Sequence, residues 1–70
     1  MKRTEVESSN ISAIGYDEKD ETLEIEFRRS KAVYQYKDVP LPIYEELMEA
    51  ESHGAFFNEH IAKNFEYVRL

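Results

Sequence analysis

The chain has 70 residues and no cysteine, and its 15 acidic against 9 basic side chains give a formal net charge of −6. A chain of this length forms one domain and buries only about 60% of the surface that it exposes when unfolded, with no disulfide or thiolate metal site to stabilise it. The charge argues against binding nucleic acid mainly by long-range attraction, although residues 1–40 are nearly balanced, with seven basic and nine acidic side chains.

We expect a single soluble, cytoplasmic domain that covers residues 1–70 and does not associate with a membrane. No apolar run approaches the roughly 20 residues of a membrane span, and residues 1–10 lack the apolar middle of a signal peptide. The nine aromatic residues, five Tyr and four Phe, are the expected source of buried area. Homo-oligomerisation is a second route to burial and stays open.

The run from Ile11 to Tyr16 has the character of a strand, and we expect residues 1–10 to lead into it in extended form. Both faces of this strand carry apolar side chains, which predicts neighbours on more than one side. Gly15 predicts either the close approach of another backbone or ring, or a β-bulge. A charged turn, Asp17 to Glu21, then leads into the next strand.

The stretch from Thr22 to Val39 predicts a β-hairpin, because two alternating apolar segments flank a short basic loop. The apolar face of the first arm consists of Leu23, Ile25 and Phe27. The pairing register decides whether Tyr34 and Tyr36, or the side chains that alternate with them, join this face. We expect the tyrosines to join it, since aromatic pairs then lie inside and a charge pair lies outside.

A loop at Arg29 to Ala32 produces this arrangement. The expected cross-strand pairs are Phe27 with Tyr34, Ile25 with Tyr36, and Glu24 with Lys37. A change of one residue in the length of the loop would turn the other face of the second arm inward. With the preceding strand, the hairpin completes a three-stranded antiparallel meander.

Two helices are predicted after the hairpin. Pro40 and Pro42 fit the first turn of a helix, where a missing N–H costs no intrahelical hydrogen bond. Apolar residues then recur at helical spacing as far as Ser52. Gly54 interrupts this pattern and predicts a second short helix that ends around Asn64.

The last segment, Phe65 to Leu70, is aromatic and β-branched enough to form a fourth strand. It either pairs with an edge of the meander or lies along the helices. The predicted fold class is therefore α+β: a three-stranded antiparallel β-meander followed by two short helices, with a short C-terminal fourth strand as an option.

A series of short motifs runs along nearly the whole chain. They are SSNI at Ser8–Ile11, IGYD at Ile14–Asp17, LEIEF at Leu23–Phe27, Tyr34-Gln35-Tyr36, Val39-Pro40, Tyr44-Glu45 with Leu47, Phe57-Asn58, His60-Ile61, and Tyr67 with Leu70. In this order and spacing they resemble the KTSC domain, a short module named after the C-terminal end of some lysyl-tRNA synthetases. The central Tyr-x-Tyr is the most recognisable mark of that family.

The resemblance implies a domain of unestablished function, for which RNA binding is suggested by its occurrence in those synthetases. It also implies a stand-alone member, of the kind found as small bacterial or phage proteins. This chain departs from the commoner pattern at Arg29 to Ala32, which replaces a glycine-containing turn, and in its acidic first helix. The acidic helix weakens the RNA inference for this member.

The candidate nucleic-acid-binding residues are the basic hairpin tip and the Tyr-x-Tyr. They are Arg28, Arg29, Lys31, Tyr34, Tyr36 and Lys37. The tyrosines would stack on bases, at roughly 1–3 kcal/mol per base, or else belong to the core with only their hydroxyls near water. The basic side chains, with Lys2, Arg3, Lys63 or Arg69, would line a groove for phosphates, or else solvate the hairpin tip and protect an edge strand.

The histidines and serines do not form a pattern typical of a metal site or a catalytic site, and we predict no enzyme, metal or cofactor. His53 and His60 lie seven positions apart across Gly54, and no third ligand has a spacing that would complete a metal site. Ser8 and Ser9 have no recognisable base that would make either hydroxyl a nucleophile.

Two hypotheses for function remain. The first is an accessory RNA-binding module with weak, salt-sensitive binding through the basic tip and any exposed tyrosine. The second is a protein-interaction or self-assembly module, in which an exposed aromatic patch or the C-terminal edge strand contacts an unknown protein or a second copy of the chain.

Overall fold

A computed structural model describes residues 1–70 and has an α+β fold. Its elements in chain order are β1 (Arg3–Glu5), β2 (Ile11–Asp17), β3 (Thr22–Phe27), β4 (Val33–Tyr36), α1 (Leu41–Glu49), α2 (His53–His60) and β5 (Tyr67–Arg69). The strands form one antiparallel sheet in the order β1-β2-β3-β4-β5. The predicted fold class is confirmed, and the optional C-terminal strand is present as β5, paired with the edge of the meander at β4.

Strand β1 adds a fifth strand, where the sequence predicted only an extended lead-in. Its three residues, Arg-Thr-Glu, are polar and exposed, so the sequence shows no apolar alternation that would predict a strand there. It forms because its backbone pairs with β2, with Arg3 opposite Gly15. The expectation that another backbone approaches Gly15 is confirmed, and the irregularity of β2 lies elsewhere, between Ile11 and Ala13.

The hairpin has the predicted faces but not the predicted register, which is wrong by two residues. The observed pairs are Leu23 with Tyr36, Glu24 with Gln35, Ile25 with Tyr34, and Glu26 with Val33. A shift of two residues keeps every side chain on its own face, so the tyrosines still lie on the apolar side.

The loop of the hairpin is Arg28 to Lys31 rather than Arg29 to Ala32. The Phe27 N–H donates to the Ala32 carbonyl at 2.9 Å and the Lys31 N–H donates to the Phe27 carbonyl at 3.0 Å, which closes the turn one residue earlier. Lys31 has a φ of 60°, the left-handed conformation that glycine adopts most easily.

The core lies between the apolar face of the sheet and the two helices. Its buried residues are Ile11, Ile14, Leu23, Ile25, Tyr36, Val39, Leu47, Phe57 and Ile61. Tyr16 helps to hold α1 in place, because its ring stacks on Tyr44 at a centroid distance of 4.5 Å. Its hydroxyl also donates to the Val39 carbonyl at 2.5 Å, just before the helix begins.

Both helices are shorter than predicted, and Gly54 lies inside α2 rather than between the helices. The Ser52 hydroxyl caps the N-terminus of α2 by accepting from the Ala55 N–H at 3.2 Å. His53 Nδ1 lies 2.8 Å from the Leu47 carbonyl in the last turn of α1, which joins the two helices at their bend. Neither helix has the length and apolar character that a membrane span requires.

Candidate nucleic-acid interface

Arg28, at the hairpin tip, is bound to the backbone of the segment that leads into β2. Its guanidinium donates to the carbonyls of Ser8 at 2.9 Å, Val6 at 3.1 Å and Ile11 at 3.2 Å. These bonds involve Nε and Nη2, which carry three of the five N–H donors of an arginine. Arg28 therefore fastens residues 6–11 to the hairpin.

The other basic residues named from the sequence are exposed but do not form one cluster. Arg29 and Lys31 lie together in the loop. Lys37 follows β4 at the end of the strand away from the tip, which places it about 20 Å along the chain from Lys31 at a rise of about 3.3 Å per residue. The expectation that Lys37 lies near the tip is wrong, because the strand runs away from its own loop.

The two tyrosines of the central motif have different surroundings. Tyr36 is only 4% exposed, and its ring packs on Phe57 at 5.2 Å and on Tyr67 at 5.4 Å. Burial, with smaller contributions from Tyr67 and Tyr34, raises the pKa of Tyr36 to about 12. Tyr34 is half-buried and lies nearer the surface. Tyr36 is thus a core residue, and Tyr34 retains some accessible ring.

An aromatic row runs across the half-exposed end of this face of the sheet. We define the aromatic row as Phe27, Tyr34 and Tyr67. Phe27 meets Tyr34 edge-on at 5.5 Å, and Tyr34 lies 5.3 Å from Tyr67. Tyr67 is 54% exposed, and the Arg69 guanidinium lies 6.0 Å from the centre of the Tyr34 ring. The row therefore presents ring surface beside a positive charge.

Tyr67 was not predicted as a site residue, and Arg69 was named only as one of four basic residues that could extend the phosphate groove of the tip. Their spacing of two places both side chains on one face of β5. Pairing with β4 sets Tyr67 opposite Tyr36 and Arg69 opposite Tyr34. The alternation was visible in the sequence, but the choice of neighbour was not.

A cleft of about 190 Å³ lies beside the hairpin tip, next to the aromatic row. Its lining residues are Asn10, Ile11, Phe27, Arg29, Gly54, Phe57 and Asn58. Phe27 belongs to both the cleft and the row. The two asparagine amides and the Arg29 guanidinium are exposed and make no hydrogen bond within the chain. Both asparagines lie in motifs quoted from the sequence, but neither was predicted as a site residue, because each comes from a different segment of the chain.

The opposite face of the sheet carries a buried carboxylate. Glu24 is 4% exposed, accepts a hydrogen bond from Gln35 Nε2 at 2.8 Å, and forms an ion pair with Arg3. Burial by itself raises the pKa of Glu24, but the hydrogen bonds from Gln35 and Arg3 and the charge of Arg3 outweigh burial and lower it. The prediction that Glu24 pairs with Lys37 is wrong, because the register differs by two residues and places Gln35 opposite Glu24.

The histidines occupy opposite ends of α2. His53 contacts the Leu47 carbonyl, whereas His60 packs on Phe56 at 4.5 Å and lies 3.9 Å from Glu59. No group of three or more histidine, aspartate or glutamate side chains is arranged to hold a metal ion.

The sequence profile of the KTSC domain matches residues 7–65. The chain belongs to the KTSC domain family. This KTSC domain is 42% identical to an uncharacterized protein of Stutzerimonas stutzeri, over 100% of its own length and 99% of the relative. It is also similar to a KTSC domain protein of Yersinia pestis in a crystal structure, with a TM-score of 0.94, 39% identity, and coverage of 99% of this chain and 96% of that one.

The KTSC domain also matches part of a much larger protein. It is 41% identical to a lysine–tRNA ligase of Nostoc sp. over 91% of its own length, but this stretch is 11% of the ligase. Two motifs of the family resemblance, SSNI at Ser8–Ile11 and Phe57-Asn58, meet at the cleft. The cleft is therefore built from separate parts of the family pattern.

Proposed function

We propose that this KTSC domain is a non-catalytic accessory module that binds single-stranded RNA across the aromatic row. The observation that carries the proposal is the exposed ring of Tyr67 beside Tyr34, with Arg69 over the latter. Exposed aromatic rings next to cationic side chains are what proteins use to bind single strands. The proposed site of action is the cytoplasm.

Stacking, rather than charge, supplies most of the proposed affinity. A base that stacks on an aromatic ring gains roughly 1–3 kcal/mol. Only Arg29, Lys31 and Arg69 are placed to contact phosphates near the row, and the chain as a whole carries a net charge of −6. We therefore expect weak binding that tolerates any sequence and weakens as the salt concentration rises.

The proposed interface differs from the residues predicted from the sequence. Arg29, Lys31 and Tyr34 stay in it, and Tyr67 and Arg69 join it. Arg28, Tyr36 and Lys37 are left out: the first holds backbone carbonyls, the second is buried, and the third is remote from the tip.

The test is an amide NMR titration of the labelled protein with a mixed pool of short single-stranded RNA, at low and then at physiological salt. Signals from Tyr34, Tyr67 and Arg69 should move together, with smaller shifts at the higher salt. Tyr67→Leu, which keeps an apolar side chain but removes the ring, should weaken binding. Val68→Ala, on the other face of β5, is the matched control and should bind as the unaltered protein does. RNA that moves no signal at low salt would eliminate the proposal.

A second candidate function is contact with another protein or a second copy of the chain at the open edge of β5. Leu70 N–H donates to the Val33 carbonyl, so the alternate residues Tyr67 and Arg69 turn their backbone groups outward. Tyr67, Val68 and Leu70 are exposed apolar side chains at this edge. Sedimentation equilibrium over a wide concentration range tests self-association: a rise in mass that Val68→Lys abolishes would favour it, and a constant monomer mass would oppose it.

A further inference from the structure

We infer that the cleft beside the hairpin tip is a pocket for one unpaired nucleobase of the bound strand. This inference rests on the RNA binding proposed above and names the part of the ligand that the cleft takes. It concerns a site formed by three separate segments: the loop before β2 with the start of that strand, the hairpin tip, and α2.

The size of the cleft admits one ring system and little more. Pockets for whole drug-sized ligands have volumes of about 300–1,000 Å³, whereas this cleft has about 190 Å³. Its apolar lining is Ile11, Phe27 and Phe57. Ile11 and Phe57 are buried, so Phe27 supplies the accessible ring. A flat aromatic group of the size of a base can stack on Phe27 there, whereas a folded segment of protein does not fit.

The rim of the cleft has the hydrogen-bonding character of a base edge. The Asn10 and Asn58 side chains each carry two donors and one acceptor oxygen, and neither bonds to another part of the chain. Nucleobase edges likewise alternate donors with acceptors, and an asparagine can bond both at once. A carboxylate ligand would use only the donors, and an alkyl side chain would use neither.

The charge at the mouth of the cleft favours a phosphate. Arg29 lines the cleft and forms no ion pair within the chain, so its guanidinium is available to an anion. A base in the cleft that is linked to a phosphate at Arg29 accounts for the aromatic lining, the amides and the charge together.

The wall of the cleft is held in place before any ligand arrives. Arg28 donates to the carbonyls of Ser8 and Ile11, the residues on either side of the segment that carries Asn10. The Ser8 hydroxyl also lies 3.3 Å from the backbone nitrogens of Asn10 and Ile11. A preformed wall lowers the entropic cost of ordering that binding would otherwise incur.

The cleft is continuous with the aromatic row. Phe27 lines the cleft and meets Tyr34 at 5.5 Å, and Tyr34 leads to Tyr67 at 5.3 Å. One base in the cleft therefore places the neighbouring nucleotide over the row.

The experiment is an NMR titration of the full-length labelled protein that follows the side-chain NH₂ signals of Asn10 and Asn58. The probes are a mixed-sequence hexanucleotide RNA, each of the four nucleoside 5′-monophosphates, and ribose 5-phosphate, which lacks a base. We expect the hexanucleotide and at least one monophosphate to shift both amides, and ribose 5-phosphate to leave them unmoved. Asn58→Ala should weaken hexanucleotide binding about tenfold, the loss of one good base contact, whereas the exposed neighbour Ser9→Ala should not.

The outcomes separate this inference from the proposed function. If the hexanucleotide moves Tyr67 and Arg69 but neither amide, RNA binding stands and the base pocket is overturned. If a monophosphate moves both amides but the hexanucleotide binds nowhere, the cleft binds a free mononucleotide rather than a base of a bound strand, and the RNA-binding module is overturned with the inference that rests on it. If N-acetylphenylalaninamide moves the amides and no nucleotide does, the cleft takes a protein side chain and the inference is overturned. The amide shifts are read on the unaltered protein, so they do not depend on how a variant folds.

Discussion

Gly15 lies opposite Arg3, the first residue of β1. A Cβ atom at this position would lie 3.0 Å from the Lys2 carbonyl oxygen and 3.1 Å from Arg3 Cγ. The first of these neighbours is backbone immediately before β1, so it cannot turn aside as the end of a side chain can. A side chain at Gly15 would therefore crowd the fifth strand and force its start to shift.

We expect Gly15→Ala to lower the free energy of unfolding by about 1–3 kcal/mol, as overpacking of a filled site does. Gly54→Ala is the matched control. Its Cβ would meet the end of the Asn10 side chain at 3.3 Å, and alanine favours the helix by up to about 1 kcal/mol. Urea denaturation of both variants measures the difference, and equal losses of stability would contradict this account.

Glu24 makes the stability of the fold depend on pH. Its pKa is lowered in the folded protein, so the unfolded chain binds more protons in the acid range. The ionised carboxylate therefore stabilises the fold above the unfolded pKa of about 4.3. This contribution is lost as the pH falls through the lower, folded value.

Glu24→Gln should be less stable than the unaltered protein at neutral pH, and its stability should fall less steeply as the pH drops below about 5. Urea denaturation at a series of pH values measures both effects. Glu45→Gln, on the exposed face of α1, controls for the loss of one negative charge. If the stability of Glu24→Gln falls as steeply with decreasing pH as that of the unaltered protein, Glu24 is not the source of the pH dependence.

At the scale of the elements, the hairpin tip assigns different roles to two adjacent arginines. Arg28 holds three backbone carbonyls, whereas Arg29 lines the cleft without a partner in the chain. The two side chains are chemically identical and occupy the same loop. Each is therefore a control for the other.

We expect Arg28→Ala to destabilise the fold by about 1–2 kcal/mol, because several charge-assisted hydrogen bonds at a partly exposed site are lost. Arg29→Ala should leave stability within about 0.5 kcal/mol and weaken RNA binding instead. Thermal unfolding and the RNA titration, run on both variants, check the two effects. Destabilisation by Arg29→Ala as large as that by Arg28→Ala would contradict the assignment.

The hairpin also shows which structural features local sequence patterns can predict. Alternation predicted which face of each arm is apolar, and that prediction is confirmed. The register was predicted wrongly because a shift of two residues leaves the faces unchanged, so alternation does not distinguish the two registers. The turn was also not predictable, since no pattern indicated that Lys31 has a φ of 60°. In α2, Gly54 looked like a helix break, but the cap is Ser52 and the glycine lies in the first turn.

The candidate site was less predictable than the fold. The basic tip was identified because its residues are neighbours in sequence. Arg69 was named only as one of several basic residues that could extend this cluster. Asn10 and Asn58 were quoted in family motifs but not as site residues, since they come from separate segments and share no spacing that predicts their meeting. Tyr36 was ambiguous, because an alternating tyrosine suits either a core or a stacking surface until its neighbours are known.

At the scale of the whole molecule, the net charge of −6 limits how much electrostatics can contribute to RNA binding. With three cationic side chains near phosphates, the slope of log K against log salt for a single strand should be about −2, at about −0.7 per phosphate. Binding curves measured at several salt concentrations give the slope. A slope steeper than about −4 would mean that more cations participate than the aromatic row and the cleft provide.

The sequence by itself determined the α+β class, the order of the helices and the central strands, the faces of the hairpin and the KTSC family, because alternation, helical spacing and motif order are properties of neighbouring residues. Only the tertiary structure decided the hairpin register, the pairing of β1, the burial of Tyr36, and the meeting of Asn10, Arg29 and Asn58 at one cleft. These features depend on which distant segments pack together. Many arrangements satisfy the same local pattern, and only the packing of the whole chain selects one of them.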